Sequence, residues 1–170
     1  MFKQKLLILI LSLLFLGCSS IVHKKEVTLS SSKKYAISSF WNYTETPMAG
    51  LRASSIVESV LAKNRLTIHS LIGGSDEMGE TLSKDDFLQK QKAKAKSVGA
   101  EYLITGNVQE WRYKTGIDGE PVVSYTLKVI DLKDDTILFN GVGAKSGWGH
   151  KSIGVVAQEI AEELIPRFTP

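Results

Sequence analysis

Cys18 is the only cysteine of the chain, and it falls directly behind an apolar run. That placement removes intrachain disulfides and cysteine-based metal sites from the choices open to the fold. A hydrophobic core has to do the work instead. The residues before Cys18 explain why the cysteine matters. Lys3 and Lys5 make a short basic start, Leu6–Leu16 is apolar except for Ser12, and Gly17 is small. This is the order of a secretory signal. The run of 11 residues is well short of the roughly 20 that a bilayer-spanning helix needs. A cysteine next to the small residue is the acylation site of a bacterial lipoprotein, with Phe15 where Leu is commonest. Residues 1–17 are therefore expected to be removed, and Cys18 to carry acyl chains such as palmitate. Several such chains hold a protein on a membrane where one does not. Ser19 follows in place of Asp, which favours the outer membrane, with the domain facing the periplasm.

The formal charge of +3 overstates the basicity of what remains. Loss of residues 1–17 removes Lys3 and Lys5 and no acid, leaving 19 basic against 18 acidic side chains. A nearly neutral chain with no basic cluster lacks the footprint of a nucleic-acid binder. Residues 18–34, rich in Ser and Lys, read as a lipidated tether. Residues 35–170 are long enough for one globular domain with its own core.

Within that domain the periodicity alternates between strand and helix. Tyr35–Phe40 reads as a first strand and Asn42–Pro47 as a loop. Ala53, Ile56, Val57, Val60 and Leu61 then share one helical face. Leu66–Ile68 is a short strand, followed by a glycine-containing loop over Ile72–Thr81. Ser83 resembles a helix cap, with Phe87, Leu88, Gln91, Ala95 and Val98 along one side and Gly99 at the end. Three strands are predicted at Glu101–Tyr113, Val122–Asp131 and Thr136–Lys145. In the middle one Val123, Tyr125, Leu127 and Val129 alternate with Ser124, Thr126 and Lys128. A last helix over Lys151–Ile165 presents Ile153, Val156, Ala157, Ile160 and Leu164, and Pro166 stops it. The order β-α-β-α-β-β-β-α implies an α/β (α+β) fold. It has a single mixed sheet flanked by helices and ends in an antiparallel meander.

The chemistry of an enzyme is missing from this pattern. There is no phosphate-binding glycine loop, no zinc-protease helix and no nucleophile elbow. The three histidines, His23, His69 and His150, are scattered, so no metal cluster and no cofactor site is suggested. The carboxylate pairs Asp85-Asp86, Asp134-Asp135 and Glu162-Glu163 fall at a helix cap, a turn and a helix. A binding or structural role is expected, with no catalytic residue.

Three stretches together resemble the PelC family of lipoproteins. They are Asn42–Arg52 (NYTETPMAGLR), Gly106–Pro121 (GNVQEWRYKTGIDGEP) and Gly143–Gly149 (GAKSGWG). The resemblance covers roughly residues 35–168, whereas curli-pore and TolB-type periplasmic domains would share the strand order without these motifs. It implies a fold similar to those domains and a homo-oligomeric ring of twelve subunits beneath the outer membrane. That ring would lie at the periplasmic mouth of a PelB-like β-barrel exporter. One face would meet membrane lipid, and an acidic face would guide a cationic, partly deacetylated exopolysaccharide during biofilm matrix formation.

Several residues carry that reading. Trp148 lies between Gly147 and Gly149, so little local structure can bury it, and tryptophan favours the membrane–water interface. Asp118 and Glu120 in one hairpin, and Asp131, Asp134 and Asp135 in the next turn, are candidates for polymer guidance. Acidic clusters on one ring face would sum into a field that attracts a polycation. Trp111, Arg112 and Tyr113 end a strand as candidates for a subunit interface, where these types are over-represented. The competing reading is a monomeric lipoprotein adaptor that binds or activates an envelope enzyme such as a peptidoglycan synthase.

Overall fold

Alternation in the middle strand of the meander decides where the core lies. Val123, Tyr125, Leu127 and Val129 are all fully buried, and the residues between them are half-exposed. A computed structural model of the chain describes residues 20–24, 27–64, 66–73, 82–115, 119–148 and 150–169. The signal segment, Cys18 and Asp118 lie outside the described residues. In chain order the elements are β1 (Ser20–Lys24), β2 (Thr28–Ser30), β3 (Lys34–Ile37), β4 (Trp41–Asn42) and α1 (Ala49–Leu61). Then come β5 (Thr67–Ser70), α2 (Lys84–Ser97), β6 (Tyr102–Tyr113), β7 (Pro121–Asp131) and β8 (Ile137–Ser146). The last two are α3 (Ile153–Leu164) and β9 (Arg167–Thr169). One sheet of seven strands runs β1-β8-β7-β6-β3-β5, with β4 also on β6. Strands β3, β4, β5 and β6 pair in parallel, and β6-β7-β8-β1 antiparallel. The chain is therefore mixed α+β with a helix-flanked sheet, as its periodicity predicts.

Helices α1 and α3 cover one face of the sheet. The spacing that identified them in the sequence is the spacing that buries Ala53, Val57, Val60 and Leu61 on α1, and Val156, Ala157, Ile160 and Leu164 on α3. These pack with Tyr35, Ile37, Ile104, Val108, Tyr125 and Phe139 in the main core. Each Leu, Ile or Phe buried there contributes about 1.5–3 kcal/mol of transfer free energy. Among the described residues the opposite face is covered only in part. Helix α2 lies over Ala36 and Leu103 through Ala95, in a smaller cluster with Ala100 and Leu132. Ser83 caps α2 by accepting the Asp86 N–H at 3.1 Å, as predicted. Val98, predicted on its buried side, is exposed because the helix ends at Ser97 and the chain turns away.

The segment read as a polar tether contributes two strands. β1 adds to the free edge of β8, with Ser20 opposite Lys145 and Lys24 opposite Gly141. β2 pairs in parallel with β9. Composition hid this, because Ser and Lys dominate residues 18–34. Edge strands tolerate such residues, since only one side of the strand is paired and one face wet. The signal was in Val22, which packs against the main core, and in Leu29, which is 6% exposed. The first predicted strand is shorter than expected. It stops at Ile37, and the buried Ser38 still donates its N–H to the Ile104 carbonyl and its hydroxyl to Thr105 Oγ1, both at 3.0 Å.

Candidate functional site

The end of the sheet where β8 finishes is built around one packed glycine. Gly147 N–H donates to the Pro121 carbonyl at 2.8 Å. A Cβ on Gly147 would stand 2.6 Å from Val156 and 2.9 Å from Pro121, so the backbone is clamped between α3 and the start of β7. With Gly147 held inward, the next residue turns outward, and Trp148 is 53% exposed. Its carbonyl accepts the Lys151 N–H at 2.8 Å, which leads into α3. Ser152 caps that helix by accepting the Val155 N–H at 3.3 Å. Tyr113 and Val155 are exposed at the same end, and the Tyr113 hydroxyl oxygen accepts the Ile153 N–H at 3.2 Å. Three large apolar side chains are thus presented around the start of α3.

The register of β1 adds the N-terminal side of the chain to this end. Because β1 is antiparallel to β8, its first residue, Ser20, lies opposite Lys145, at the end of β8 that leads to Trp148.

The acidic candidates do not form one face. Glu120 belongs to the Trp148 end, where its carboxylate pairs with Lys114 Nζ at 2.7 Å. Asp131, Asp134 and Asp135 lie at the far end of β7, a strand of 11 residues, roughly 33 Å away along its axis. There the carboxylates shape the turn. Asp131 accepts the Lys133 N–H at 2.8 Å and Asp134 the Thr136 N–H at 3.0 Å. Hydrogen bonds from Thr136 hold the Asp134 carboxyl below its usual range. Asp135 sits at φ +63° and pairs with Lys92 at 3.2 Å. Lys33, Lys96 and Lys133 share a shallow recess with Asp131 and Glu101. The expected summation over a single acidic face is therefore corrected. The two groups are a strand length apart, and the distal one is interleaved with lysines.

The three residues ending β6 separate by alternation. Trp111 faces the core and is 2% exposed, and its carbonyl accepts the Thr46 hydroxyl at 2.6 Å. Arg112 faces the other way beside Glu110, at 3.2 Å. Trp111 also floors an open groove between the N-terminal ends of α1 and α3. Met48, Leu51, Arg52, Ile56 and Ile153 line that groove, which encloses about 600 Å³. Sequence reasoning missed it. Met48 and Leu51 fall at the loop–helix junction, where the core-facing stripe of α1 has not yet started. A smaller recess of about 130 Å³, beside α2, has Trp41 and Phe87 on one wall and Lys92, Asn107 and Lys128 around it. Among the described residues no metal-binding cluster occurs, and no helix is long and apolar enough to cross a membrane.

No family model matches the chain, and no curated protein sequence matches it. Among solved structures it is similar to a PelC dodecamer from Paraburkholderia phytofirmans, at 30% identity and a TM-score of 0.71, covering 86% of this chain and 94% of that one. A variant of that dodecamer in another crystal form gives the same identity and TM-score, with 95% of that chain covered. Lipoprotein GNA1162 from Neisseria meningitidis shares the fold, at a TM-score of 0.58 and 13% identity over 77% of this chain and 96% of that one.

Proposed function

The chain belongs to the PelC family, and we propose that it forms a lipid-anchored homo-oligomeric ring on the periplasmic face of the outer membrane. The ring passes a cationic exopolysaccharide to a PelB-like β-barrel exporter and performs no catalysis. The observation that carries this reading is the polarity of the subunit. Trp148 and the N-terminal side of β1 leave the sheet at one end, and Asp131, Asp134 and Asp135 lie at the other. Cys18 stands two residues before Ser20, so its acyl chains attach within about 7 Å of the strand end. Lipid and indole then enter the same leaflet, and the distal carboxylates face the periplasm, where the polymer arrives. Repetition around a ring multiplies a weak contact per subunit into useful avidity.

The dodecameric relatives support the assembly part of this reading. Its test uses the lipidated protein in detergent. Native mass is expected to show a closed assembly near twelve copies, and a stable monomer at high concentration overturns the reading in favour of an enzyme-binding adaptor. The polymer part is tested with a partly deacetylated poly-N-acetylgalactosamine. Binding should weaken as salt rises, because exposed charges are screened over about 10 Å at 0.1 M. Replacing Asp131, Asp134 and Asp135 together by Asn should weaken binding by about tenfold or more, whereas Glu120→Gln, already paired with Lys114, should change it little.

A further inference from the structure

The recess beside α2 combines an aromatic wall, a buried amide and a positive rim. Trp41 on β4 stands opposite Asn107 on β6 in parallel register, so the two side chains share one face of the sheet. Phe87, in the first turn of α2, meets Trp41 with ring centroids 5.3 Å apart and planes inclined at 60°. Asn107 lines the recess and is only 7% exposed. Its amide oxygen accepts from Gln109 Nε2, and its Nδ2 has no acceptor among the described residues. A buried amide N–H without an acceptor favours a ligand that brings one. Three lysines line the recess against one carboxylate, Asp135. Lys92 pairs with Asp135 at 3.2 Å and Lys84 lies over the Tyr43 ring. Lys128 has no ion pair among the described residues.

We infer that this recess takes the acetamido group of a neutral, N-acetylated sugar unit. Each part of that group has a counterpart. Its methyl is apolar and suits the wall made by Trp41 and Phe87, and its carbonyl oxygen is the acceptor that Asn107 Nδ2 lacks. A free amine in its place would bring a positive charge to the lysines, which repel it. A carboxylate would bring negative charge against two aromatic faces, which are themselves negative. At about 130 Å³ the space is below the roughly 300–1,000 Å³ of a pocket that encloses a whole ligand. It therefore receives one substituent of a longer chain that runs over its mouth. Asp135 belongs both to this recess and to the distal turn proposed to guide the polymer. The assignment rests on the polysaccharide reading above and deepens it. Carboxylates attract the deacetylated, cationic units, and the recess holds acetylated units between them.

The full-length lipidated protein in detergent is titrated with two probes, a fully N-acetylated galactosamine tetrasaccharide and its fully deacetylated form. Saturation-transfer NMR and calorimetry follow both. The acetyl methyls of the first probe should receive the strongest transfer. Asn107→Asp keeps the acceptor for Gln109 Nε2 and replaces the free donor by a carboxylate oxygen. It should weaken the acetylated probe by about tenfold or more and leave the deacetylated one as tight or tighter. Phe87→Ala removes a half-exposed ring. It should weaken the acetylated probe and leave the deacetylated one unchanged, and that retained affinity shows that the variant is folded. If the deacetylated probe binds and the acetylated one does not, the inference is overturned while the polysaccharide reading stands. The same holds if both variants bind the acetylated probe as wild type does. If sodium acetate displaces that probe at equal concentration, the recess is an anion site and the inference again fails. If neither probe binds wild type, the polysaccharide reading fails first and takes this assignment with it.

Discussion

Glu159 holds two lysines at once. It meets Lys151 at 2.6 Å and Lys145 at 3.0 Å, joining α3 to the last turn of β8 and to its own approach segment. The hydrogen bond from Lys151, followed by that from Lys145, holds its carboxyl below the usual range. Burial works against charge on Lys145, but its bonds to Glu159 and Glu163 outweigh burial, and its ammonium titrates above the usual lysine value. The contribution of Glu159 to stability is present above the unfolded carboxylate pKa and is lost as pH falls through its lowered folded value. That of Lys145 is present below the unfolded lysine pKa and is lost as pH rises through its raised folded value. Glu159→Gln should cost about 1–2 kcal/mol at neutral pH and should remove part of the acid-side fall in stability. Urea unfolding between pH 3 and pH 8 measures both. Single residues were unevenly legible in the sequence. Flanking glycines left Trp148 open between the surface and a fold back against the sheet, and the family resemblance was what placed it outside. Nothing local could tell that Trp111 floors a groove, because the other walls come from helices tens of residues away.

At the scale of elements, α1, α3 and the meander were readable because each buries a whole face, and burial of one face imposes a period. β1, β2 and β9 were not readable. They are only three to five residues long, and β1 is held by an edge whose residues lie 117 to 125 positions further on, from Lys24↔Gly141 to Ser20↔Lys145. The contact of α3 with β8 depends on a missing side chain. A Cβ on Gly143 would stand 2.4 Å from Ile160 and 3.3 Å from Leu164. Gly143→Ala should lower stability by about 1–3 kcal/mol through overpacking. Gly154→Ala, whose nearest neighbour would be 3.9 Å away, should be neutral or slightly stabilising. Equal urea midpoints for the two variants would show that α3 shifts without cost.

For the whole molecule, the useful fact is that its ends differ. That much was available from topology, since successive turns of an antiparallel meander fall at opposite ends of the sheet. The two acidic groups were recognised in sequence, but summing them onto one face ignored this. What topology could not supply was which end carries the proposed membrane contacts. The pairing of β1 with β8 puts Ser20, two residues after the proposed lipidation site, at the Trp148 end. Trp148→Ala in a Cys18→Ala background should weaken vesicle binding by about tenfold, given repetition around a ring, without moving the thermal midpoint. Unchanged binding would assign docking to other residues. The same pairing also has a mechanical meaning. If Cys18 is acylated as proposed, a pull on the domain along the strand direction would load β1 along its own axis. Its five residue pairs with β8 then bear the tension together, in shear. Pulled from the side, they would open one after another like a zipper. The proposed attachment through an outermost strand of this sheet would thereby be a strong joint.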